Sequence, residues 1–179
     1  MNASPAVNLT MPDSSHHKAR SLLLAAFVTA ATTFLDQLSK SVILQSFQPG
    51  EVRPIITALF NLTLTFNKGA AFGLWSWLTP GTRELVLGLT ILFAVAVVTY
   101  LLTRTYNKDP LSQAALAAIL GGALGNVIDR VRIGAVVDFL DFYLGTWHWP
   151  AFNVADSAIC VGVSILLIFA RQPSTRGGS

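Results

Sequence analysis

The chain has 179 residues, enough for one domain, of which 53% are hydrophobic and only 12% charged. An average soluble domain is about one quarter charged, so this composition, with a mean hydropathy of +0.57, excludes an ordinary soluble fold and indicates an integral membrane protein. The formal charge of +3 comes from scattered basic residues with no aromatic-interleaved stripe, which argues against a nucleic-acid partner.

Residues 1–20 are polar, contain Pro, Asn and Ser without an apolar period, and read as a disordered tail ending in the basic flank Lys18 and Arg20. His16-His17 has no third ligand nearby, so no metal site is expected there. The first apolar segment, about 21–47, meets the length of roughly twenty residues that a spanning helix needs. It is too long for a signal-peptide core and lacks a small-residue cleavage site after it. Within it Asp36 and Lys40 stand four apart on one helix face, where they either neutralise each other or help orient a site.

Residues 48–78 change character. Pro49-Gly50 breaks the helix, and Phe60 to Asn67 alternates apolar and polar residues, the period of a half-buried strand. Asn67-Lys68-Gly69 signals a turn. Gly69-Ala70-Ala71-Phe72-Gly73 then offers little side-chain bulk, suiting either close approach of an extended peptide or an ordinary hairpin. An open strand edge cannot face lipid, so this small sheet belongs at an interface, where Trp75 and Trp77 fit an aromatic belt.

The second span, about 83–103, has no charge in its interior and reads as structural. Asp109-Pro110 is a helix start for the third span, about 111–130, in which Ala117, Gly121 and Gly125 recur every four residues, the pattern that lets membrane helices pack closely. Asp129-Arg130 reads as an ion pair closing that helix. The fourth span, about 151–170, carries Asn153 and Asp156 near its start. The single cysteine, Cys160, reads as a small buried apolar residue, and alone it forms no intramolecular disulfide. The fold class is thus an all-α membrane protein of four transmembrane helices with a small strand region, followed by a C-terminal tail, 172–179.

Four spans put both termini on one side. Lys18, Arg20, Arg104, Lys108, Arg171 and Arg176 flank that side and mark it as cytoplasmic, although Arg53, Lys68, Arg83, Arg130 and Arg132 fall opposite. The strand region and the segment from Gly125 to Asp156 then lie on the outer face.

That segment contains Asp129, Asp138, Asp141 and Asp156. Ionisable groups at membrane-length segments are costly and are functional candidates by default. Two carboxylates brought together share a proton and titrate as a unit, supplying a base to activate water and an acid to hydrogen-bond a scissile carbonyl. Such chemistry needs no metal, cofactor or second copy of the chain. GxSxG, HExxH and Gly-rich phosphate motifs do not occur in the sequence. His148, alone between Trp147 and Trp149, reads as an interface residue rather than a base, and the two tryptophans fit either a belt or a loop covering the site. Asp141 reads as solvated. Residue types alone leave the choice among the four aspartates open. A proton-coupled carrier is the rival class, but it would place its acids near the midplane, in broken helices of paired repeats, and no internal repeat occurs in the sequence.

The blocks FNKGAAFG (66–73), GGALGNVIDR (121–130), VVDF (136–139) and FNVADSAI (152–159), with DQLSK (36–40), resemble the lipoprotein signal peptidases, or signal peptidase II, the bacterial inner-membrane aspartyl peptidases. The resemblance covers about 21–171 in order, with no departure at the motif positions. It implies Asp138 and Asp156 as the catalytic pair and Asp36, Lys40, Asn67, Gly69, Gly122, Asn126, Arg130, Asn153 and Ala155 as binding or supporting residues. It also implies four membrane helices with an extracytoplasmic β-cradle and a short interfacial helical loop. The implied reaction removes signal peptides from diacylglyceryl-modified prolipoproteins, on the N-terminal side of the lipid-bearing cysteine, at the cytoplasmic (inner) membrane.

Overall fold

The computed structural model describes residues 14–69, 79–105 and 109–169. The element order is α1 (Ser14–Ser46), β1 (Val52–Ile56), β2 (Phe60–Asn67), α2 (Pro80–Tyr100) running into a π-helical turn (Leu101–Thr105), α3 (Pro110–Ile133), β3 (Val136–Leu144), β4 (Trp147–His148) and α4 (Val154–Phe169). Trp75, Trp77, the segment 70–73, Lys108, Arg171 and most of both tails lie outside the described residues.

Helix ends follow local chemistry. Pro80 opens α2 and Pro110 opens α3, each supplying a preset φ where no N–H is needed. Asp109 caps α3, accepting from the Leu111 and Ser112 backbone amides at 3.3 and 3.1 Å. Gly134 ends α3 in the left-handed conformation at φ 71°. Helix α1 starts at Ser14, so 14–20 is helical rather than part of a disordered tail. Lys18, Ala19 and Arg20 are good helix formers and extend the apolar helix that follows.

Among the described residues, two helical stretches are long and apolar enough to cross a membrane: Ala19–Ser46, with a mean hydropathy of 1.4, and Pro110–Ile133, with 1.6. The apolar stretches Gly88–Arg104 and Val154–Phe169 are shorter. Leu23, Phe27, Phe34, Leu92, Phe93, Leu167 and Ile168 point outward and exposed, a surface suited to lipid rather than water. Cys160 belongs to this exposed surface of α4, not to the interior, because it lies off the face that packs on α3.

Helix α1 runs parallel to α3 at a constant sequence offset. Thr29 Oγ1, Thr33 Oγ1 and Gln37 Nε2 donate to the carbonyls of Ala117, Gly121 and Gly125 at 3.1, 2.9 and 3.1 Å, each pair separated by 88 residues. Small residues make this possible: a Cβ on Gly121 would lie 2.7 Å from the Thr29 carbonyl. Helix α4 packs antiparallel against the same α3 through Gly122, whose missing Cβ leaves room for the Ala155 carbonyl, and through its own Gly162, which meets Ala115. The glycine stripe thus serves two neighbours at once.

The four strands form an antiparallel sheet in the order β1-β2-β3-β4. The expected strand at Phe60–Asn67 is present with the same bounds. The stretch after α3 is β3, and it is the central partner of β2. Ile43, Phe47, Leu64, Val137 and Phe139 form the core that joins the sheet to the end of α1. No interfacial short helix occurs among the described residues.

Candidate active site

Asp138 enters the site from the middle of β3 and Asp156 from the first turn of α4. The Asn153 side chain caps α4 by accepting the Asp156 amide at 2.9 Å, and Asp156 Oδ2 accepts the Asn153 amide in return at 3.3 Å. This reciprocal capping box makes Asp156 a fixed part of the helix start, where the helix dipole favours negative charge. Two asparagines join the acids. Asn126 Nδ2, from α3, donates to Asp156 Oδ1 at 2.9 Å, and Asn153 Nδ2 donates to Asp138 Oδ1 at 2.7 Å. Asn67, at the end of β2, donates to the other oxygen of Asp138 at 3.0 Å.

Asp138 is 2% exposed. Burial drives its carboxyl up to about 6, with the Asp156 charge adding to the rise while the Asn67 and Asn153 hydrogen bonds oppose it. A carboxyl titrating there can hold a proton at a pH where another carboxylate in the site is ionised, the condition for paired acid and base work.

Behind the pair lies a buried charge cluster. Lys40 contacts Asp36 and Asp129, each at 2.8 Å, and donates to Asn126 Oδ1 at 2.9 Å. Asp36 Oδ1 accepts the Ala155 amide at 2.9 Å, so α1 holds the first turn of α4 beside Asp156. Asp129 was expected to pair with Arg130. It pairs instead with Lys40 and also accepts the Val137 amide at 3.1 Å, because it faces α1 and β3. Arg130 lies within electrostatic reach of Asp156, Asp138 and Asp129.

Gly69 closes the Asx turn after β2, its amide donating to Asn67 Oδ1 at 2.9 Å with φ at 86°, which suits glycine. That turn orients Asn67 toward Asp138. Asp36, Asn67, Gly122, Asn126, Asn153 and Ala155 therefore touch the pair or the elements that carry it, while Lys40 reaches it through Asn126 and Gly69 through Asn67. Asp141 is buried rather than solvated, bonded to Asn61 Nδ2 and to His148 Nδ1, both at 2.8 Å, and apart from the pair. His148 is accordingly a partner of Asp141 and not an isolated interface residue. Gln37 escaped the sequence reading; it donates to Asp129 at 2.9 Å as well as to Gly125. Its spacing of four from Thr33 and Thr29, matching the small-residue stripe of α3, was the available signal.

A groove of about 580 Å³ between α2 and α3 opens beside Arg130 and Lys68. Its walls are apolar, from Ile91, Leu92, Val95 and Leu124 among others.

The profile of the family described as Signal peptidase (SPase) II matches residues 28–171. The chain is 46% identical over 154 residues to the lipoprotein signal peptidase of Burkholderia mallei (strain SAVP1), and 48% identical over 150 residues to that of Burkholderia vietnamiensis (strain G4 / LMG 22486). Both alignments cover 84% of this chain and 88% of the relative. Two solved bacterial membrane enzyme structures superpose with TM-scores of 0.71 and 0.72 at 31% and 28% identity. They cover 87% and 90% of this chain and 95% and 93% of theirs.

Proposed function

Because the chain belongs to the signal peptidase II family of bacterial membrane peptidases, we propose that it cleaves signal peptides from diacylglyceryl-modified prolipoproteins with Asp138 and Asp156 as its acid/base pair. The cut falls on the N-terminal side of the lipidated cysteine. The observation that carries this reading is the convergence of β3 and α4: these two carboxylates, and neither Asp129 nor Asp141, are joined through Asn126 and Asn153.

In this mechanism the ionised carboxylate takes a proton from water as the water oxygen bonds to the scissile carbonyl carbon. The protonated partner hydrogen-bonds the carbonyl oxygen as that oxygen gains charge. Collapse of the tetrahedral intermediate passes a proton to the departing amine, breaks the C–N bond and returns the pair to one shared proton. The apolar groove beside Arg130 suits acyl chains, and the end of β2 suits an extended peptide. The chain is read as one peptidase domain, 21–171, with four membrane helices, cytoplasmic termini and the pair at the outer face of the cytoplasmic membrane.

The test uses purified protein in nanodiscs with a diacylglyceryl-modified prolipoprotein and its unmodified twin. Cleavage of the lipidated form only, lost in Asp138→Asn and in Asp156→Asn, is the expected result. Cleavage that survives either substitution refutes the pair, and equal cleavage of both substrates refutes the lipid requirement.

A further inference from the structure

The two ends of an asparagine amide have nearly the same shape, so an asparagine in a catalytic site can usually point either way. Asn126 cannot. Its Oδ1 faces Lys40 Nζ at 2.9 Å and Asn153 Nδ2 at 3.2 Å, and both partners are pure donors. A flip would turn its NH2 against an ammonium and its carbonyl against the Asp156 carboxylate, losing hydrogen bonds on both sides. Lys40 has three protons and three acceptors, on Asp36, Asp129 and Asn126. At 2% exposure it has no water to take their place.

Resting on the aspartyl reading above, we propose that Lys40 is a positioning residue: it fixes the Asn126 amide so that its N–H, and not its carbonyl, faces Asp156, and so holds that carboxylate in place to activate water. Asp156 is held at three points: its Oδ1 accepts an N–H from an amide bonded to a buried cation, its Oδ2 accepts the Asn153 amide, and its backbone lies in the first turn of α4. Asp138 lies within β3, and its bonds come from two side-chain amides. The other charges around the pair are Asp36 on α1, Asp129 and Arg130 on α3, and Lys68 after β2. Asp36 and Asp129 are engaged by Lys40, whereas Arg130 acts on both acids, on Asp156 more than on Asp138.

The experiment measures pH profiles of kcat and kcat/KM for the lipidated prolipoprotein in nanodiscs, using wild type, Lys40→Met, Asn126→Leu and the double variant. In Lys40→Met the ascending limb moves up by about one pH unit, kcat below that limb falls about tenfold, and KM changes less than about twofold. Asn126→Leu moves the limb in the same way. On the ascending limb Lys40→Met then adds nothing in the Asn126→Leu background, since its effect there runs through that amide, whereas its direct field on Asp138 bears on the descending limb. Lys40→Met/Asp129→Asn, which keeps the net charge of the cluster as in the wild type because Asp36 alone stays ionised, guards against loss of folding and moves the limb equally.

A uniform loss of kcat with an unmoved profile, a rise in KM, or additive effects of the two single changes overturns the assignment. Those outcomes, with an active wild type that depends on both aspartates, leave the aspartyl reading standing. A wild type that fails to cleave, or that survives Asp138→Asn, removes that reading and the Lys40 assignment with it.

Discussion

Replacing Asp138 by asparagine removes one of the two acids proposed to carry catalysis and also a charge that the fold holds at a cost. Burial raises this carboxyl from 3.8 to about 6. A tenfold change in proton affinity is worth about 1.4 kcal/mol, so keeping Asp138 ionised inside the fold costs on the order of 3 kcal/mol above pH 6. The sign follows from proton uptake: between about 4 and 6 the folded chain holds a proton that the unfolded chain has lost. The wild type is therefore most stable below that window and loses stability as pH rises through it. Asparagine does not titrate, but it sets an N–H against donors that the carboxylate satisfied. Either Asn67 or Asn153 goes unmatched, at about 1–2 kcal/mol. Asp138→Asn should thus melt below the wild type at pH 5 and at or above it at pH 8. The swing is several degrees, at roughly 2–4 °C per kcal/mol for a chain of this size. Thermal denaturation in detergent at both pH values measures it, with cleavage assayed in parallel. An equal change in melting temperature at pH 5 and pH 8 would refute the account of Asp138 as a buried acid that burial keeps protonated.

Other consequences follow from single contacts. Asn67→Leu removes the hydrogen bond that opposes the rise at Asp138, so the descending limb of the pH–rate profile should move to higher pH; a limb that moves down refutes the assignment. Gly122→Ala puts a methyl 2.5 Å from the Ala155 carbonyl and should cost about 1–3 kcal/mol of stability together with most of the activity, read by melting and cleavage, because α4 carries Asp156. Gly69→Ala, at φ 86°, should cost about 1 kcal/mol and weaken cleavage through Asn67, whereas Gly81→Ala, with open space around it, should do neither. His148→Ala leaves the buried Asp141 with Asn61 alone and should lower the melting temperature by a few degrees with little change in KM.

Much of this was legible in the residues. The alternation of Phe60–Asn67 marked a strand, Asp109-Pro110 marked a helix start, and Ala117, Gly121 and Gly125 marked a packing face, because each signal is local and periodic. β3 was missed for a physical reason: VVDFLDFYL is buried along most of its length, so the apolar-polar alternation that reveals a half-buried strand is blurred. The partner of Asp129 was missed because adjacency in sequence favoured Arg130, while helix geometry turns the two side chains to different neighbours. The Asp36–Lys40 pair was visible from its spacing, but its reach across to Asp129, Asn126 and the Ala155 amide depends on two other helices. Long-range contacts of this kind leave no local trace.

The ladder between α1 and α3 has a consequence for assembly. Its rungs repeat every four residues on both helices, so sliding α1 back by one turn, about 5.4 Å, would let Thr33 and Gln37 find the carbonyls that Thr29 and Thr33 use now. Taken alone, the ladder is a ruler with identical marks. Only the non-repeating end breaks the tie: Asp36 needs the gap over Gly125 and the free amide of Ala155, and Lys40 needs Asn126 and Asp129 at once. The same buried ions that lie behind Asp138 and Asp156 thus act as the index mark by which two hydrophobic helices find their one correct alignment.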